Sequence, residues 1–166
     1  MDNLLFAVLL DLGLIGIALL CLGEKLLPIV PSYALLVSFG LTVAHDTTGL
    51  LGVVFASTCG SVLGAIGWYA LGRLIGRERS EQFVARFGRY VLLRPAFYQR
   101  LMAAYDGKPF LVTALGQAVP AARIYLPLPA GVIGLSFVPF VLATTLGALA
   151  WNAPLVTLGY LLRSIG

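Results

Sequence analysis

Apolar residues run in long blocks along this chain, and proline and charge mark where the blocks break. Residues 4–22 are apolar apart from Asp11. About 20 such residues cross a bilayer as a helix, so this block predicts a first membrane helix. Its amino end lacks the basic stretch of a cleaved leader, so the helix is expected to be retained. The next block, 24–45, is uncharged from Leu26 to Ala44. Pro28 and Pro31 near its start and Gly40 beyond them work against one straight helix, and a re-entrant hairpin fits better. Residues 47–72 make a clean span whose Gly52, Ala56, Gly60, Gly64 and Gly67 form a small-residue face, the spacing that lets helices approach closely in lipid. Within 73–108, Phe83, Val84, Phe87, Tyr90 and Val91 recur among arginines at helical spacing. That pattern predicts an amphipathic helix lying on the membrane surface.

Beyond Lys108 the only charges are Arg123 and Arg163. As one helix, the uncharged stretch between them would be roughly 58 Å long against a hydrocarbon core of about 30 Å. It must fold back. Pro120, Pro127, Pro129 and Gly131 mark the place, giving a second re-entrant hairpin over 109–134 and a final span over 137–162.

The second hairpin and span repeat the first. Leu27-Pro28-x11-Gly40 answers to Val119-Pro120-x10-Gly131, and the pairs Gly60/Gly147 and Leu71-Gly72/Leu158-Gly159 share one register. A hairpin crosses nothing net, so each copy crosses an odd number of times and the second copy is upside down. Proline-broken segments at matching places in two halves point to a transporter site near the bilayer midplane. The expected fold is an all-α polytopic membrane protein. It is one membrane domain over 1–166, an inverted repeat of hairpin plus transmembrane helix with a basic amphipathic segment between the copies.

Composition agrees: 60% hydrophobic and only 11% charged residues leave too little polar surface to cover a soluble globule. The net charge of +4 does not indicate nucleic acid, because Arg73, Arg77, Arg79, Arg86, Arg89, Arg94, Arg100 and Lys108 all lie in the central segment. By the positive-inside rule that segment and the amino terminus are cytoplasmic, facing anionic lipid headgroups, with the His45-Asp46 turn and the carboxyl terminus outside. Cys21 and Cys59 fall in apolar blocks and read as small buried residues rather than a disulfide or metal pair.

The ordered set Glu24-x3-Pro28-x2-Pro31-Ser32, Gly60-x3-Gly64-x4-Tyr69-x2-Gly72-Arg73-x2-Gly76, Pro120-x2-Arg123, Ala130-Gly131, Phe140, Gly147-x3-Trp151 and Gly159-Tyr160 resembles the DedA family, also called VTT-domain proteins. The resemblance runs from about Glu24 to Tyr160. It implies a multi-pass protein of the bacterial inner membrane that moves lipids such as undecaprenyl phosphate or phospholipids as a flippase or scramblase, often with proton coupling. The chain departs from the family pattern at Tyr33 and Ala65, where acidic residues are usual, and at Gln117, where an arginine is common.

Arg123 is the sharpest candidate for chemistry, because a charge at the centre of a membrane helix costs about 2.5 to 3.5 kcal/mol on insertion scales and survives when paired or lining a wet cavity. A guanidinium there can hold a phosphate with two parallel hydrogen bonds. Gln117 is a neutral donor to the same headgroup. Glu24, at the junction of first helix and first hairpin, can pair with Arg123 or take a proton; beside Lys25 it also reads as an interfacial helix-end charge. Asp11 and the His45-Asp46 pair are further candidates for proton coupling, with a helix-start turn as the plainer reading of Asp46. Trp68, Tyr69, Tyr125 and Trp151 read as interface or packing aromatics. Nothing resembles a phosphate-binding glycine loop, a metal cluster or a Ser/His/Asp set, and no cofactor is expected. The expected partners are membrane lipids, with a second copy of the chain as a further candidate. The competing readings are a membrane-embedded lipid-processing enzyme and a noncatalytic assembly protein.

Overall fold

The computed structural model describes residues 12–165 except 28–30, 89, 91–92, 106 and 120–121; side chains are described as far as Arg163. Asp11, Pro28, Pro120 and residues 4–11 of the 4–22 block lie outside the described residues. Within them every regular element is a helix: α1 (Gly13–Leu26), α2 (Ser32–Thr42), α3 (Thr47–Phe87), α4 (Pro95–Ala104), α5 (Pro109–Gly116), α6 (Ala122–Tyr125), α7 (Pro127–Val132) and α8 (Phe137–Ile165). The described residues are all-α, as the hydrophobic pattern predicts. Among them two helices are long and apolar enough to cross a membrane, Thr47–Phe87 and Phe137–Arg163.

Local chemistry sets the ends of these helices. The Asp46 carboxylate accepts from the Gly49 amide at 2.6 Å and caps α3. Pro95, Pro109 and Pro127 open α4, α5 and α7, where a missing N–H and a fixed φ cost nothing. The helical hydrogen bonding of α3 continues past Gly72 into the arginine-rich stretch, broken at Gly76 by a backbone turn (φ 68°, ψ −178°) that only glycine adopts freely. Beyond that break the arginines Arg77, Arg79 and Arg86 are exposed while Ser80 and Val84 are buried.

One tyrosine closes this basic stretch on itself and another fastens it to the rest. The Tyr98 hydroxyl meets Ser80 Oγ at 2.7 Å, and Tyr105 donates to the Leu126 carbonyl at 3.1 Å. Burial pushes the Tyr105 phenol up to about 12, so it remains a neutral donor across the physiological range.

The two long helices pack on each other, α1 lies along α3, and α5 lies along α8. The two short central helices cross over: α2 packs on α8 and α7 on α3. Glycine permits both crossings. A Cβ on Gly40 would overlap the Val156 carbonyl and lie 2.8 Å from Tyr160 N, and a Cβ on Gly159 would overlap the Val37 carbonyl and lie 3.0 Å from Leu41 N. At the other crossing a Cβ on Gly131 would overlap the Tyr69 carbonyl and lie 2.9 Å from Arg73 N, and one on Gly72 would overlap the Leu128 carbonyl and lie 3.1 Å from Val132 N.

These are one contact written twice. Residues 37, 40 and 41 map onto 128, 131 and 132, while 69, 72 and 73 map onto 156, 159 and 160. Two arginines make similar contacts from different register positions, since Arg73 maps onto Tyr160 and Arg163 onto Gly76. Arg73 Nη1, bonded to Tyr69 Oη at 2.8 Å, reaches the Leu135 carbonyl, and Arg163 Nη1 reaches the Ala44 carbonyl at 3.0 Å and His45 Nδ1. Leu135 stands to Gly131 as Ala44 stands to Gly40.

Two apolar clusters fill the interior. One gathers Ile17, Leu36, Phe39, Val53 and Val156; the other gathers Trp68, Tyr69, Tyr98, Tyr125, Leu128 and Phe140. Buried polar residues collect where the carboxyl end of α1 meets the 109–134 segment.

Candidate functional site

The last turn of α1 carries Glu24 and Lys25, both buried. Adjacent helical residues point about 100° apart, so burying both requires walls on two sides. One wall is α3, where Gly64 has no side chain; a Cβ there would sit 2.5 Å from Lys25 Cβ. Trp68 Nε1 donates to the Lys25 carbonyl at 2.8 Å and satisfies an end-of-helix acceptor. The other wall is the 109–134 segment. Lys25 Nζ donates to Gln117 Oε1 at 3.1 Å and to the Arg123 carbonyl at 2.9 Å.

Arg123 lies in the short helix α6 and is 1% exposed. Its Nη1 donates to Ser32 Oγ at 3.1 Å, at the first residue of α2, and its guanidinium lies over the Trp151 ring with the central carbon 5.2 Å from the centroid. A cation over an indole face is stabilised by about 0.5 to 2 kcal/mol, which offsets part of its burial. Glu24, Arg123, Ser32, Cys21, Leu35, Leu36 and Ser61 line one small cavity of about 180 Å³, a figure that includes open solvent, and the space between these side chains is too tight for a water molecule. Glu24 and Arg123 thus share a cavity, but no direct ion pair joins them among the described residues.

Five buried polar side-chain atoms have no hydrogen-bond partner among the described residues: Gln117 Nε2, Arg123 Nε, Thr144 Oγ1, Trp151 Nε1 and Asn152 Oδ1. All belong to the second half of the chain. Asn152 Nδ2 makes only long contacts, 3.4 Å each, to Thr58 and Ser61 hydroxyls on α3. Leaving a buried donor unpaired costs about 1 to 3 kcal/mol, so the unused N–H groups of Gln117, Arg123 and Trp151 are costly as they stand.

The family to which this arrangement belongs is set by comparison. The VTT domain family model matches residues 30–161. The chain belongs to the VTT-domain, or DedA, family. Among relatives of this VTT-domain protein, an "Alkaline phosphatase-like protein" of Lactococcus lactis subsp. cremoris is 32% identical over 96% of this chain and 75% of its own length. Undecaprenyl phosphate transporter A of Staphylococcus aureus is 28% identical, covering 96% of this chain and 78% of the relative. The Bacillus subtilis protein of the same name is 27% identical over 99% and 80%. No solved structure matches.

Of the candidates read from sequence, the fold of this VTT-domain protein brings Arg123, Gln117 and Glu24 into one buried cluster. Pro31 caps α2 beside Ser32, Pro127 and Pro129 are buried in α7, and Gly40 and Gly131 sit at the two helix crossings. Asp46 and His45 are exposed and stand apart from the cluster, Asp46 as a helix cap and His45 against Arg163. Lys25 and Trp151 escaped the sequence reading. Lys25 was legible only as an end charge and Trp151 only as packing, although a lysine three residues past the end of an apolar block, in a chain with a glycine stripe on a neighbouring span, is a signal in the sequence.

Proposed function

We propose that this VTT-domain protein moves a lipid with a phosphorylated headgroup across the membrane, as a flippase or scramblase, and that Arg123, Gln117 and Glu24 form its headgroup site. The observation that carries the reading is the trio of buried, unpartnered N–H donors on Gln117, Arg123 and Trp151. Phosphate oxygens satisfy such donors, and guanidinium matches their geometry. Two relatives named undecaprenyl phosphate transporter make a polyprenyl phosphate the first substrate to try. The site's groups hold and release a charge, which favours a carrier over an enzyme.

The twofold correspondence of the glycine crossings supports an inverted repeat, with 24–45 and 109–134 as re-entrant hairpins meeting at the midplane of a multi-pass bacterial inner-membrane protein. Because the cavity does not admit water as it stands, a headgroup enters only when one hairpin shifts. The exposed arginines after Gly76 suit anionic lipid on the cytoplasmic face. Glu24 is the carboxylate best placed for proton coupling. Asp46 is occupied as a cap, and Asp11 lies outside the described residues.

Reconstitution into liposomes with a fluorescent polyprenyl phosphate tests the reading. Arg123→Ala is expected to abolish translocation at normal protein abundance, and Arg123→Lys to recover part of it, since an ammonium lacks the planar fork. Full transport by Arg123→Ala removes Arg123 from the site. Glu24→Gln is expected to flatten the pH profile; a profile overlaying that of the parent assigns Glu24 to structure alone.

A further inference from the structure

Lys25 reads in the sequence as a charge reaching for the interface, yet it is fully buried. It is also outside the residues matched by the family model, which begin at residue 30. Its ammonium, carried on the first half of the chain, holds two groups of the second half: Gln117 Oε1 and the Arg123 carbonyl. The link is accommodated on both sides. Gly64 leaves room for the lysine stem, and Gly147 leaves room for Gln117, since a Cβ there would lie 2.5 Å from Gln117 Cγ. A tether between halves needs hydrogen bonds, which an amide supplies without the desolvation cost of an ion. A buried ammonium whose two acceptors are both uncharged is poorly explained as a tether.

We propose that Lys25 is the second cation of the headgroup site, and that it makes the site select an anionic phosphate over a zwitterionic headgroup. This rests on the reading that the Arg123 cluster takes a phosphorylated headgroup. Counted by formal charge, Arg123 and Lys25 contribute two positive charges and Glu24 one negative, a net single positive charge that an arriving phosphate neutralises. Without Lys25 the cluster is already neutral, and Arg123 is balanced by Glu24 before any ligand comes. A phosphate oxygen carries negative charge where Gln117 Oε1 and the Arg123 carbonyl carry none, and Coulomb attraction is strong in a site shielded from water, so phosphate oxygens outcompete both for the ammonium. Headgroup arrival therefore releases Gln117 and the Arg123 backbone together, which frees the second proline-broken segment to move.

The only two tryptophans of the chain, Trp68 and Trp151, touch Lys25 and Arg123. Binding of farnesyl phosphate to detergent-purified protein is therefore readable as intrinsic fluorescence, with farnesol and a short-chain phosphatidylcholine as controls. Lys25→Gln keeps a donor and drops the charge; it is expected to weaken farnesyl phosphate binding about 10- to 100-fold and to leave phosphatidylcholine unaffected. Lys25→Met is expected to lose as much, and Lys25→Met/Gln117→Arg, which moves the cation by about one hydrogen-bond length, to regain most of it. Parental affinity in Lys25→Gln, no recovery in the double variant, or no farnesyl phosphate binding by the parent would each overturn the assignment. A parent that binds with the stated Lys25 dependence yet fails to translocate in liposomes leaves the cation in place and removes transport instead.

Discussion

Adding a single methyl group at Gly131 probes the crossing of α7 and α3 directly. In the native packing a Cβ there would overlap the Tyr69 carbonyl and come within 2.9 Å of Arg73 N, and both are backbone atoms that no rotamer change can move aside. The two helices must separate, and overpacking of this kind costs about 1 to 3 kcal/mol. Helix propensity returns about 1 kcal/mol when alanine replaces glycine in a helix interior, leaving a net loss of up to about 2 kcal/mol. Gly67→Ala is the control: its nearest neighbour is the flexible Leu26 Cδ2 at 3.6 Å, so the propensity gain stands alone and the variant is expected to match or exceed the parent. Gly72→Ala/Gly131→Ala is expected to lose less than the sum of its singles, because helices already parted at one crossing accommodate both methyls. Gly40→Ala/Gly131→Ala, at separate crossings, is expected to be additive. Chemical unfolding in detergent micelles, followed by far-ultraviolet circular dichroism, measures each value. Equal stability of Gly131→Ala and Gly67→Ala would refute the close backbone crossing, and strict additivity of the 72/131 pair would refute the shared contact.

Two further tests address topology and the α3 start. In a Cys21→Ala, Cys59→Ala background, cysteines at Thr48, Arg86 and Ser136 are probed with a membrane-impermeant thiol reagent. Position 48 is expected to label in intact cells, and 86 and 136 only after the cells are opened; labelling of 48 and 136 from the same side would refute the inverted repeat. Asp46→Ala removes the acceptor for the Gly49 amide and is expected to destabilise the protein by about 0.5 to 2 kcal/mol while leaving lipid translocation per folded molecule unchanged; lost transport at full stability would restore Asp46 as a functional carboxylate.

The sequence alone determined the membrane character, the helical blocks and where proline and glycine break them, because these depend on the composition and neighbours of each segment. It also exposed the internal correspondence: Gly72 and Gly159 lie in one register, and Gly40 and Gly131 occupy matching places after their prolines. A lone arginine in an uncharged stretch was enough to single out Arg123, since its cost in lipid is independent of the fold. Only the tertiary structure decided that each short central helix packs on the long helix of the other half, and so which glycines meet. It alone placed Ser32 and Trp151 on the Arg123 guanidinium and turned Lys25 inward. Local pattern cannot yield these, because one face of a helix is apolar whichever helix covers it. Whether a lysine at a helix end reaches for water or for a carbonyl about a hundred positions away depends on what fills the space beside it.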